Sequence, residues 1–290
     1  MNLMYCGDAN VRTGLILSIL SILEHTDREL HIYVLTMSWA EEGKTFAPLP
    51  AQSVELLEPV LKEKNRNSTI EIIDITNLFQ KEVPEHNLGT RFTPYCMLRL
   101  FADVLPRIPD KILYLDTDVL CRGDLAAFYD QGMDDWEFAG VLDYYGSWFF
   151  RRKWYRRDYC NSGVLLLNMK RIRQTGLFTH CRKLCETKKM FMPDQSALNK
   201  LVSAKKICPR KFNEQRKLHD DTVLQHFTTS FRFFPVFRVV SVKPWMFSQV
   251  QTVLKLHEYD ALFEQYAQLI KKENNENENQ RTDPDFSVLG

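Results

Sequence analysis

The sequence has no long apolar run, no paired-cysteine motif and almost no net charge, and each absence removes a class of protein. Formal net charge is +1, so no global field directs the chain to nucleic acid or an acidic polymer. Seven cysteines, Cys6, Cys96, Cys121, Cys160, Cys181, Cys185 and Cys208, are scattered without CxxC spacing, which excludes a zinc ribbon and a thioredoxin-like redox pair. Several stand beside apolar residues as small hydrophobes, and an odd number fits a reducing compartment. Leu15–Leu23 is apolar but too short to span a bilayer, and no basic segment follows Met1, so neither a signal peptide nor an anchor is expected. There are no long internal repeats and no linker-like stretch. What remains, 290 residues with 44% hydrophobic and 26% charged, suits one large α/β domain.

Periodicity gives that domain its order. Leu3–Cys6 reads as a strand ending at the turn signal Gly7-Asp8, and Ile16, Ile19, Leu20 and Leu23 repeat at helical spacing. Leu30–Leu35 is rich in β-formers, completing the strand–helix–strand start of a parallel, doubly wound sheet. A helix is expected within Val54–Lys64 despite Pro59, a strand over Ile70–Ile75 and a helix over Met97–Leu105. Lys111–Leu115 is a near-continuous apolar strand of the kind buried on both faces, and Phe138–Leu142 and Gly163–Leu167 are two more. Beyond Met169 the pattern turns helical, and from Glu273 the Asn/Glu-rich tail is expected to be disordered.

The sharpest chemical signal is Tyr114-Leu115-Asp116-Thr117-Asp118-Val119-Leu120. Side chains alternate along a strand, so Asp116 and Asp118 would point the same way from the sheet edge. Two facing carboxylates repel unless a cation lies between them, and strand ends are where open α/β sheets bind ligands. The functional reading is a divalent metal site holding a diphosphate; the bland one is a solvated loop. A second feature is Trp148–Tyr159, in which five basic residues alternate with aromatics. It reads either as a loop facing an acceptor or a membrane surface, or as a surface helix with its aromatics packed inward. Nucleic acid is the weakest reading.

Six segments, in order, resemble family 8 of the glycosyltransferases, the retaining group that includes bacterial lipopolysaccharide galactosyl- and glucosyltransferases. They are Tyr5-Cys6-Gly7-Asp8-Ala9-Asn10, Arg99-Leu100, Leu115–Leu120, Asn161–Asn168, Pro193–Asn199, and His226-Phe227 with Lys243-Pro244-Trp245. The resemblance implies a single GT-A type nucleotide-sugar-binding domain over residues 1–272, a Rossmann-like, mostly parallel mixed sheet with a helical C-terminal portion. It implies that Asp8, Asn10, Arg99, Thr117 and Lys243 bind a UDP-sugar donor, and that Asp116, Asp118 and His226 bind Mn²⁺, or Mg²⁺. Asn161, Asp194 and Gln195 would face the transferred sugar, with Gln195 near the anomeric carbon. Read alone, several of these residues have plainer roles: Asp8 as a helix cap, Arg99 on a helix surface, His226 as a structural imidazole, Lys243 in solvent, Asp194 in a helix first turn.

The implied activity is Mn²⁺-dependent, retaining transfer of glucose or galactose to a saccharide or glycolipid, by a cytoplasmic enzyme that could rest on the inner membrane face. Because Gln195 is an amide and a poor nucleophile, a front-face route is expected, unlike the carboxylate nucleophile of retaining glycosidases. Phe227–Val242 is longer than the corresponding link in the lipopolysaccharide enzymes and contains no glycine. The competing readings are a sugar-nucleotide nucleotidyltransferase, which would carry a Gly-rich basic loop where this chain has Gly7-Asp8-Ala9-Asn10, and a non-catalytic UDP-sugar-binding module.

Overall fold

Apolar strands buried on both faces need helices above and below them, and the computed structural model, which describes residues 1–41, 43–88, 94–149, 158–232 and 238–282, supplies both layers. A seven-stranded sheet runs in the order Lys205–Ile207, Phe138–Leu142, Cys160–Asn168, Lys111–Leu115, Asn2–Cys6, His31–Thr36, Thr69–Asp74. Every strand points the same way except Cys160–Asn168, which is antiparallel to both neighbours. The expected mixed, mostly parallel sheet is therefore present, with one reversal.

Alternation divides the core. Leu3, Tyr5, Leu113 and Leu115 face the helix Arg12–Leu23 and the C-terminal helix Asp260–Thr282. Met4, Ile112 and Tyr114 face Pro94–Val104 and the helices Leu177–Thr187 and Pro193–Leu201. The first helix is buried on all sides from Gly14 to Leu23, beyond the one stripe its periodicity suggested, because the C-terminal helix covers its outer face. Its two buried serines are satisfied: Ser18 Oγ lies 3.1 Å from Tyr5 Oη, and Ser21 Oγ accepts from the Cys121 amide at 2.9 Å. Burial pushes the Cys121 and Cys160 thiols up to about 12, in keeping with cysteine as a small hydrophobe.

Three expectations change in detail. The Val54–Lys64 helix is broken into Gln52–Glu55 and Leu57–Lys64, which puts Pro59 in a first turn where its missing N–H costs nothing. Pro94–Val104 winds as a 3-10 helix. The helix Asp260–Thr282 runs into the segment expected to be disordered, and the Glu273 carboxylate takes Arg12 in a two-oxygen ion pair at 2.6 and 2.7 Å. Extending an anchored helix is far cheaper than nucleating one, so a polar segment that could not fold alone follows the packed part. Residues 283–290 lie outside the described ones. Among the described residues no helix is long and apolar enough to cross a membrane.

The anchor of that helix is aromatic. Phe263 is buried, with its ring 4.7 Å from Phe247 and 6.3 Å from Tyr259. Phe263→Ala is expected to cost about 3 kcal/mol, read by chemical denaturation. Deleting residues 274–290 should change stability by less than about 0.5 kcal/mol.

Candidate active site

The turn after Lys111–Leu115 builds the acidic end of the site. Its amide N–H of Val119 bonds the Asp116 carbonyl at 3.1 Å, and the Asp116 amide bonds the Gly163 carbonyl at 2.8 Å. Asp116 and Asp118 thus converge because a tight turn brings them together, not through the strand alternation expected from sequence. The strand Val119–Cys121 then pairs antiparallel with Leu224–His226, with His226 opposite Val119. That register delivers the imidazole: His226 Nε2 lies 3.1 Å from Asp118 Oδ1 and 3.7 Å from Asp116 Oδ2.

One ligand atom from each of Asp116, Asp118 and His226 lies within 4.8 Å of the others. Gly163 keeps the space clear, since a Cβ there would stand 2.2 Å from His226 Cε1 and 2.7 Å from Asp116 Oδ2. Two carboxylates and one imidazole around such a gap fit a divalent ion, Mn²⁺ better than Ca²⁺. Burial pushes the Asp118 carboxyl up, but Lys243 and His226 outweigh it and hold it well below the usual carboxylate range. Lys243 Nζ is 2.5 Å from Asp118 Oδ2 and donates to the Phe227 carbonyl at 2.9 Å. The long Phe227–Val242 segment does not displace it. Ser230–Arg232 and Arg238–Val240 pair as an antiparallel ribbon, so the excursion returns to where it left.

The reversed strand explains the rest. Its first residues lie at the same edge as the last residues of its neighbours, which sets Asn161, Ser162 and Gly163 beside Asp116. From there a circuit of hydrogen bonds and ion pairs runs back to Asp116. His226 Nδ1 contacts Asn213 Oδ1 at 3.1 Å, Asn213 Nδ2 donates to Asn161 Oδ1 at 2.9 Å, and Asn161 Nδ2 donates to Asp143 Oδ2 at 3.0 Å. Gln195 Nε2 donates to the same Asp143 oxygen at 3.2 Å, and its Oε1 accepts from the Ser162 amide at 2.9 Å. Ser162 Oγ donates to Asp194 Oδ2 at 3.0 Å, and Arg99 spans the last gap, 3.5 Å from Asp194 and 3.0 Å from Asp116.

Arg99 is buried, its guanidinium 3.8 Å from the Tyr114 ring centroid. It also donates to the Cys96 and Ser162 carbonyls. Its three nitrogens therefore have protein partners; it orients the carboxylates that line the site. The helix Pro193–Leu201 starts with proline at its first position, which aims Asp194 and Gln195 from the first turn.

Asp8 and Asn10 stand apart from this circuit. Asp8 accepts from the Asn10 amide and from Asn10 Nδ2, each at 3.0 Å, so its capping role is present; Asn10 is exposed. Thr117 lies against the first helix, since its carbonyl and the Trp245 ring would each be 2.7 Å from a Cβ on Gly14. Of Trp148–Tyr159, residues 150–157 lie outside the described ones. Tyr159 is buried, its hydroxyl 3.2 Å from Ser196 Oγ and its carbonyl bonded to the Asp143 amide at 2.9 Å. Sequence reasoning missed Asp143, Asn213 and the role of Ser162. Asp143 carried a usable signal, an acid directly after an apolar strand, as Asp116 does; Asn213 carried none.

A mostly parallel sheet with helices on both faces and this acidic carboxyl edge defines a GT-A-like fold, and solved structures agree. An active-site mutant of LgtC superposes with TM-score 0.63 at 20% identity, covering 94% of this chain and 96% of that one. Galactosyltransferase LgtC in complex with donor and acceptor sugar analogs gives 0.61 at 19%, with the same coverage. Residues 2–245 match the glycosyl transferase family 8 model, and the chain belongs to that family. It is also 25% identical to the lipopolysaccharide 1,2-glucosyltransferase of Escherichia coli over 294 residues, 89% of this chain and 83% of that one.

The clearance at Gly163 gives a direct test. Gly163→Ala is expected to cost about 1–3 kcal/mol of stability through overpacking and to weaken divalent-ion binding at least about tenfold as the ligands are pushed apart. Titration calorimetry with Mn²⁺ and UDP checks the second.

Proposed function

We propose that this family 8 glycosyltransferase moves glucose or galactose from a UDP-sugar to a saccharide or glycolipid acceptor, with retention and with Mn²⁺. The observation that carries the reading is the circuit of hydrogen bonds and ion pairs, which ties Asp116, Asp118 and His226, a group able to hold a divalent ion, to Asn161, Asp194 and Gln195. The lipopolysaccharide and galactosyl specificities of the similar proteins support the donor and acceptor classes. A cytosolic reaction on a precursor of a cell-surface glycan is consistent with them.

Held by Asp116, Asp118 and His226, the ion would neutralise the donor diphosphate and stabilise UDP as it leaves. Lys243, already poised at Asp118, adds a point charge within reach of a phosphate. Asp8, Asn10 and Thr117 are suited to the uridine and ribose along the adjoining edge. Gln195 is fixed at both ends of its amide, so it serves as a preorganised dipole at the anomeric centre and not as a nucleophile. Asp143 accepts from Asn161 and Gln195 on one oxygen and from the Gly146 amide at 2.5 Å on the other. With both oxygens engaged, it positions its neighbours. The acceptor hydroxyl would then enter on the face UDP leaves, passing its proton to the departing phosphate, while Asp194 and Asn161 hold the sugar ring.

A panel of UDP-sugars with purified protein and Mn²⁺ tests this. Release of UDP from glucose or galactose donors, abolished by EDTA, is expected; release from neither, with no binding of UDP and Mn²⁺, would refute it. Gln195→Ala should lower kcat about 10²-fold, the usual cost of losing one preorganised polar group. A wild-type kcat would remove Gln195 from the mechanism.

A further inference from the structure

We propose that Asn213 is a positioning residue of the transfer reaction: its carboxamide fixes which nitrogen of His226 carries the proton, and ties that ligand to the sugar-facing amides. The inference rests on the ion-dependent transfer proposed above.

The polarity of the contacts follows from one backbone group. The Gly163 amide can only donate, and it lies 2.9 Å from Asn161 Oδ1, so that atom is an oxygen. The Asn213 atom 2.9 Å from the same oxygen must also donate, which makes it Nδ2. The other end of Asn213, Oδ1, then faces His226 Nδ1 at 3.1 Å as an acceptor. Nδ1 therefore carries hydrogen in the neutral ring and in the charged one alike, and in the neutral ring the lone pair is on Nε2, the nitrogen facing the carboxylates. Asp143 closes the far end as a pure acceptor for Asn161 Nδ2 at 3.0 Å. Every amide between the imidazole and Asp143 has a single consistent orientation.

Without an acceptor at Nδ1, the neutral ring would place its proton on Nε2 and donate it to Asp118 Oδ1, 3.1 Å away. That tautomer has no lone pair for an ion. The burial of Asn213, 1% exposed, removes water as a substitute acceptor. Its place beside the imidazole is held by the backbone, since the Glu214 amide bonds the Leu224 carbonyl and the His226 amide bonds the Glu214 carbonyl, each at 2.8 Å.

Two substitutions separate the two ends of the amide. Asn213→Leu removes both, and Asn213→Asp keeps the acceptor for His226 while losing the donor to Asn161. Mn²⁺ affinity is measured by calorimetry at saturating UDP, with metal-free melting as the check on folding. Asn213→Leu should bind Mn²⁺ about 10–100-fold more weakly, whereas Asn213→Asp should stay within about threefold of wild type yet turn donor over at least about tenfold more slowly. Wild-type Mn²⁺ affinity in Asn213→Leu, or equal loss of metal in both variants, overturns the assignment. If Asn213→Leu fails to melt cooperatively, the retained affinity and slowed turnover of Asn213→Asp decide. Wild-type protein that binds no Mn²⁺ with UDP refutes the ion-dependent function together with this inference; normal wild-type binding with an unaffected Asn213→Leu refutes the inference alone.

Discussion

Three carboxylates, those of Asp116, Asp118 and Asp194, crowd one end of this sheet, and in the absence of a cation their mutual repulsion must be met by the protein. Arg99 meets most of it. Buried under the Tyr114 ring and bonded to two backbone carbonyls, it lies against both Asp116 and Asp194. Removing one partner of such a buried pair typically costs about 3–5 kcal/mol, because a charge is left uncompensated. Lys243 does the same for Asp118, whose other oxygen lies 3.1 Å from His226 Nε2. The acidic edge is thus balanced by Arg99 and Lys243, positive groups that belong to the fold.

The second constraint is the direction of one strand. Were Cys160–Asn168 parallel to its neighbours, its first residues would lie at the amino edge, far from Asp116. Reversal places the Asn161-Ser162-Gly163 start against the end of Lys111–Leu115. There the Gly163 carbonyl receives the Asp116 amide at 2.8 Å, and the missing side chain of Gly163 makes room for His226. One glycine serves both the sheet and the clearance between His226 and Asp116.

Much of this was legible in sequence where a local rule applied. The strand Lys111–Leu115 has the bounds its apolar run gave, and the first helix, the strand before it and Phe138–Leu142 follow their patterns. The circuit was only partly legible, because its members come from elements far apart in the chain and their meeting depends on strand order. Asp143 ends a strand as Asp116 does and could have been found by the same reasoning. Asn213 lies between a 3-10 turn, Arg210–Phe212, and the strand Leu224–His226, in a stretch with no periodicity. No composition rule distinguishes it from a surface asparagine. The helical course of residues 273–282 was hidden for another reason: it is inherited from the packed residues Tyr259 to Ile270, not encoded in its own polar sequence.

The segment between His226 and Lys243 shows how a long stretch of chain can join two residues of one site. Both residues contact Asp118, so any net displacement of Lys243 would break the ion pair at 2.5 Å. The intervening chain forms a ribbon whose two strands leave and return side by side, with Thr229 Oγ1 and Ser241 Oγ 3.1 Å apart at its base. A hairpin adds residues in pairs and leaves the distance between its ends almost unchanged, so the cost falls on loop entropy, which grows slowly with length. The ion pair between Asp118 and Lys243 therefore depends on where the two strands of the ribbon begin and end, which their pairing fixes.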